Sequence, residues 1–168
     1  MFKEAKQHIV ELVKEDVRIF DMTKPTCLAT DLCRQGVGFF LMQKHCNCQG
    51  QIIPTCCATG WKLVFVGGQF TTPAESRYAP IEGEALAVVV ALHKARYFVL
   101  GCEKLTVATD HKPLLKVFGD RQLCELENPR LTILKEKAMY FRLDMVHVQM
   151  CMGGFTKALM QCPGYPMT

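Results

Sequence analysis

Three carboxylates in this sequence are placed where chemistry is usually done. Asp31 follows the apolar run CLAT, Asp110 follows TVAT, and Glu84 stands in the first turns of a predicted helix, ahead of a nearly continuous apolar run. A carboxylate at the carboxyl end of a strand lies at the rim of a sheet, where α/β folds place their sites, and Glu84 can point to that same rim. Like charges that converge are tolerable only when a cation neutralises them. Hard oxygen ligands select Mg²⁺ or Mn²⁺, and such a cluster can hold two ions about 4 Å apart for in-line displacement at a phosphate. The chemistry this predicts is phosphodiester hydrolysis. Taken singly, the same residues read as two turn carboxylates that end strands and one charge at a helix start.

A second cluster carries soft ligands. His45, Cys46, Cys48, Cys56 and Cys57 fall within thirteen positions, enough for a tetrahedral zinc site that would order a loop and take no part in cleavage. The spacing is not that of a finger or ribbon, because one residue separates Cys46 from Cys48 and none separates Cys56 from Cys57. Free thiols are the competing reading. His147 invites a role as a proton shuttle but fits the alternation of a strand, and His111 beside Asp110 reads as a polar cap at a helix start. Arg130, Lys135, Lys137 and Arg142 on or just beyond one helix, with Lys112 and Arg121 flanking the Asp110 region, could contact phosphates without sequence preference. A solvated helix face explains those six cations equally well.

These residues need elements to position them. Phe2, Ala5, Ile9, Leu12 and Val13 recur at helical spacing, which predicts an amphipathic helix over 2–13. Beyond Pro25, strands are expected at 26–30 and 37–42, joined by a turn containing Gly36, with the first ending at Asp31. An irregular Cys-rich loop follows over 43–60, then a strand at 61–66. A long helix is expected from Pro80 to Leu100, with Pro80 near its start and Gly101 at its end. A buried strand at 105–109, helices at 113–118 and 128–141, and a fifth strand at 143–148 complete the order. That order predicts an α/β layer with a mixed five-stranded sheet flanked by helices.

The words around the carboxylates narrow the reading. Phe20-Asp21 with KPTCLATD (24–31), YAPIEGEALAV (78–88), TDHKPLL (109–115) and NPRL (128–131) occur in one order over nearly the whole chain. Together they resemble the ribonuclease H domain of reverse transcriptases from Ty3/Gypsy-type LTR retrotransposons. The resemblance implies a ribonuclease H-like fold over 20–161. It implies that 1–19 form a tether helix from the polymerase part of the same polyprotein, with 162–168 a tail. Asp31, Glu84 and Asp110 are its implied catalytic and Mg²⁺ (or Mn²⁺) ligands, and its substrate is an RNA/DNA hybrid whose RNA strand is hydrolysed. The family carries a fourth acid in a closing helix, where HVQMCMGGFTKALMQ places Lys157 instead. Leu32-Cys33 and Gly68-Gln69 also depart from the usual Trp-Ser and Ser-Arg. Lys157 would remove a ligand and bring positive charge toward the remaining cation. Two expectations follow: a weakened nuclease, or a catalytically dead remnant that binds nucleic acid or a partner protein.

The chain's 168 residues suit one domain, and its 49% apolar and 21% charged residues suit a packed core rather than disorder. No apolar run approaches the 18 residues of a membrane span, and the first ten residues lack an apolar signal region, so an intracellular location with reduced thiols is expected for the ten Cys. A net charge of +4 is compatible with a nucleic-acid partner and equally with an ordinary soluble domain.

Overall fold

The fold is that of a computed structural model, which describes residues 19–33, 35–48, 60–119 and 121–148. The helix expected over 2–13, the thiols of Cys56 and Cys57, Lys157 and the tail lie outside those residues. Strands β1 (Thr26–Cys33), β2 (Gly36–Lys44) and β3 (Trp61–Phe70) form an antiparallel meander. The chain then crosses over through helix α1 (Pro80–Lys94) and the short turn of helix α2 (Arg96–Val99) to β4 (Leu105–Thr109), which runs parallel to β1. Helices α3 (Leu114–Phe118) and α4 (Pro129–Ala138) lead to β5 (Leu143–His147), parallel to β4. The sheet order β3-β2-β1-β4-β5 is the expected mixed five-stranded sheet.

Central position explains the composition of β1. Its Cys27, Leu28, Ala29 and Thr30 are buried on both faces, so the strand reads as an apolar run rather than an alternation. Leu28, Leu41, Leu105 and Val107 point to one face and pack against Ala85, Val88, Leu92, Leu114 and Leu134 of the helices. Cys27, Ala29 and Ala108 form a small cluster of their own with Phe40, Trp61, Val146 and Val148. Among the described residues no helix is long and apolar enough to cross a membrane.

Several boundaries differ from expectation. Strand β1 continues through Asp31 to Cys33, because its ladder with β2 runs on to the Cys33–Gly36 pair. Strand β3 reaches Phe70 rather than Val66, carried by Gly67 and Gly68 opposite Phe39 and Gly38. The long helix stops at Lys94 and resumes for one turn, and Gly101 at φ +83° supplies the left-handed step that ends it. The last helix is shorter by three residues at its carboxyl end, with Met139 as its cap.

Candidate functional site

Asp31 and Asp110 are brought together by register. Strands β1 and β4 run parallel with Ala29 beside Ala108, so two residues further on Asp31 and Asp110 stand side by side with the same parity. Asp31 therefore lies within its strand rather than after it, and the meeting point is still the sheet's rim. Helix α1 delivers Glu84 to the same place. Gly83 makes the approach close: a Cβ there would lie 2.5 Å from Leu32 Cδ2, so a larger residue would require the Leu32 side chain to move.

The electrostatics register the convergence. Burial pushes the Glu84 carboxyl up to about 7, and the charges of Asp110 and Asp31 add to the effect. Asp31 is raised by partial desolvation and by Asp110, against an opposing hydrogen bond from the Leu32 N–H. Glu84 Oε2 is buried with no hydrogen-bond partner, and so is Thr30 Oγ1 in the strand beside it. Among the described residues no three His, Cys, Asp or Glu side chains are drawn tightly enough to clasp an ion as they stand. An all-oxygen donor set with an orphaned buried oxygen fits a hard divalent cation.

Two residues away, Glu82 is in the opposite state. It is 6% exposed, and its Oε1 accepts from Asn128 Nδ2 at 2.8 Å. Arg130 Nη1 donates to both oxygens, at 3.4 and 3.2 Å, and Oε2 accepts from the Ala79 N–H at 3.1 Å. The Asn128 hydrogen bond, the Ala79 N–H and the Arg130 charge hold its carboxyl below the usual range, against the opposing effect of burial. The Arg130 guanidinium also lies 4.8 Å over the Tyr78 ring. In the sequence Glu82 is marked only by its place three residues after a helix cap position.

The remaining candidates divide. His147 ends β5 and its Nε2 lies 3.0 Å from the Asp110 carbonyl oxygen, so one ring nitrogen is spent on the main chain. His111 accepts the Leu114 N–H on its carbonyl at 3.0 Å, a main-chain role at the start of α3. Lys112 and Arg121, with Lys116, Ile81, Pro113 and Val117, line a groove of about 360 Å³. Lys137 and Arg142 are exposed. Lys135 corrects the expectation of a phosphate contact. It is buried, and its Nζ donates to the carbonyl oxygens of Val117 at 2.8 Å, Gly119 at 3.4 Å and Arg121, which fixes the turn between α3 and α4. In the Cys-rich segment, His45 Nδ1 stands 3.2 Å from Lys24 Nζ, so that nitrogen accepts from an ammonium group. Cys46 is half-buried and Cys48 exposed.

Comparison with known proteins identifies the family. Residues 21–139 match the family described as the RNase H-like domain found in reverse transcriptase. The chain is 32% identical over 112 residues to the retrovirus-related Pol polyprotein from transposon gypsy of Drosophila melanogaster, covering 66% of the chain and 9% of that protein. It is 27% identical over 125 residues to the corresponding polyprotein from transposon opus of the same organism, covering 74% of the chain and 11% of that protein. The chain thus spans about a tenth of the length of these relatives. Among solved structures, a foamy viral protease-reverse transcriptase in complex with RNA/DNA hybrid superposes with a TM-score of 0.55 at 15% identity, over 98% of this chain and 20% of that one. An RNase H1 isolated from compost by a metagenomic approach superposes with a TM-score of 0.50 at 12% identity, over 82% of this chain and 93% of that one. At such identities the likeness speaks for the fold.

Proposed function

Because the chain belongs to the RNase H-like domains found in reverse transcriptase, we propose that it hydrolyses the RNA strand of RNA/DNA hybrids within a Ty3/Gypsy-type retrotransposon polyprotein. Residues 1–19 would join it to the polymerase part of that polyprotein. The observation that carries the reading is the meeting of Asp31, Glu84 and Asp110 at one rim, with Glu84 Oε2 buried and unsatisfied. These three side chains would hold Mg²⁺ or Mn²⁺. When bound, such an ion supplies Lewis acidity toward water and the scissile phosphate.

The chain's own residues do the rest. Asp31, Glu84 and Asp110 supply the negative charge that selects a divalent ion, and Glu84 must lose its proton to take part. The groove cations Lys112, Lys116 and Arg121 contact backbone phosphates, which gives affinity without base preference. His147 ties β5 to the main chain at Asp110 and so steadies the strand end that carries that carboxylate.

Lys157 favours a second reading, a remnant that binds nucleic acid or a partner protein without cleaving. A labelled RNA/DNA hybrid incubated with the protein separates the two. Mg²⁺-dependent cuts in the RNA strand that vanish in Asp110→Asn support the nuclease, and hybrid binding without cleavage at any Mg²⁺ or Mn²⁺ concentration supports the remnant.

A further inference from the structure

The first turn of a helix is its least secured part, because its leading N–H groups have no partners within the helix. Glu84 is the fifth residue of α1, where fraying of that turn would move it. The position before the helix, Ala79, has no side-chain oxygen to cap it. The turn is nevertheless held from two sides. Gly83 lies flush on Leu32 of β1, and Glu82 is bonded across to the start of α4.

Asn128 belongs to both helices at once. Its Oδ1 caps α4 by accepting from the N–H groups of Arg130 at 2.9 Å and Leu131 at 3.4 Å. Its Nδ2 donates to Glu82 Oε1, and Arg130 straddles both Glu82 oxygens from a seat over Tyr78. We propose that Glu82, Asn128 and Arg130 are positioning residues, a clamp that sets the depth and angle at which α1 presents Glu84 to Asp31 and Asp110. This rests on the reading above that those three carboxylates hold a divalent ion. It also gives a physical reason why the segments YAPIEGEAL and NPRL occur in one chain, since they meet in this clamp.

The two jobs of Asn128 can be separated by one isosteric change. Asn128→Asp keeps the helix cap, because Asp and Asn cap equally well, but replaces the donor toward Glu82 with a second carboxylate. Mn²⁺ binding measured by calorimetry should weaken about tenfold, as losses of outer-shell partners do, and hybrid cleavage should lose about tenfold in kcat with KM within about twofold. Exchanging the partners in Glu82→Gln/Asn128→Asp lets an amide donate to a carboxylate again and should restore most of the Mn²⁺ affinity. Arg130→Gln, at a side chain 58% exposed, gives a milder loss in the same direction and keeps the comparison open if Asn128→Asp folds poorly.

Unchanged Mn²⁺ affinity in folded Asn128→Asp or Arg130→Gln overturns the clamp while leaving the nuclease reading intact. A wild-type protein that binds no Mn²⁺ overturns the nuclease reading instead. Amide exchange then decides the clamp by itself: the Gly83 and Glu84 amides should exchange about tenfold faster in Asn128→Asp, and equal rates overturn it.

Discussion

Glu82 and Glu84 leave the first turns of α1 two residues apart and end in opposite states. Around Glu82 every lone pair that faces the protein meets a donor, from Asn128, Arg130 or the Ala79 main chain, and the carboxyl is held low. Around Glu84 the protein supplies two further carboxylates and a buried, unmet oxygen, and the carboxyl is pushed up to about 7. Glu84 is raised chiefly by its own desolvation, with the charges of Asp110 and Asp31 adding to it, whereas at Glu82 the Asn128, Ala79 and Arg130 partners outweigh the cost of burial. The chain itself completes one carboxylate, and the other is the one we propose a divalent cation completes.

The largest effect expected from breaking that contrast is on cleavage. Glu84→Gln or Asp110→Asn should each lower Mg²⁺-dependent hydrolysis of an RNA/DNA hybrid by about a hundredfold to a thousandfold, the usual cost of losing one electrostatic stabiliser at such a site. Single-turnover rates on a labelled hybrid measure it. Restoring the acid that the sequence lacks should act in reverse. Lys157→Asp is expected to raise cleavage at least about tenfold by adding a ligand and removing a positive charge, and pairing it with Asp110→Asn should abolish the gain. An unchanged rate in folded Lys157→Asp would mean that position 157 does not reach the carboxylates.

Stability sharpens the contrast because the signs differ. Lys135, like Glu82, is a buried charge completed by the chain, and Lys135→Met leaves three carbonyl oxygens without their donor. A loss of about 2 kcal/mol in urea unfolding is expected, within the usual cost of unsatisfied buried acceptors. Glu84→Gln should instead stabilise the metal-free protein. A carboxyl whose folded pKa lies above its unfolded value binds more protons when folded, so stability falls as pH rises from about 4.5 to about 7. In the wild type, Tm without divalent ions should drop across that window. Glu84→Gln should flatten the drop, and Mg²⁺ at pH 8 should offset it in the wild type alone.

How much of this was legible in the sequence follows from which forces act locally. The five strands and the crossover helix could be read because apolar runs bounded by turn residues, Pro80 and Gly101 are local signals. The extension of β3 through Gly67 and Gly68 could not, since glycine has poor strand propensity and is there because the Phe39 ring packs against Gly67. Lys135 looked like any helix-face lysine, because the carbonyls that receive it come from a turn fourteen to eighteen residues earlier. Glu82 was hidden for the same reason: its partners Asn128 and Arg130 lie 46 and 48 residues away.

The smallest expected effect concerns the Cys-rich segment. His45 Nδ1 already accepts from Lys24, which leaves this residue less free to act as a ligand. Purified protein is therefore expected to carry no stoichiometric zinc, and Cys56→Ser with Cys57→Ser to leave Tm unchanged. About one equivalent by metal analysis, lost on that double change, would establish the zinc site instead.

The central claim is that Asp31, Glu84 and Asp110 form a binding site for a divalent cation, and Mn²⁺ titration by calorimetry at pH 8 tests it most directly. Saturable binding to the wild type, weakened at least about tenfold in Asp31→Asn and in Asp110→Asn, is expected. Equal affinity in all three proteins, or no binding to the wild type, would contradict it.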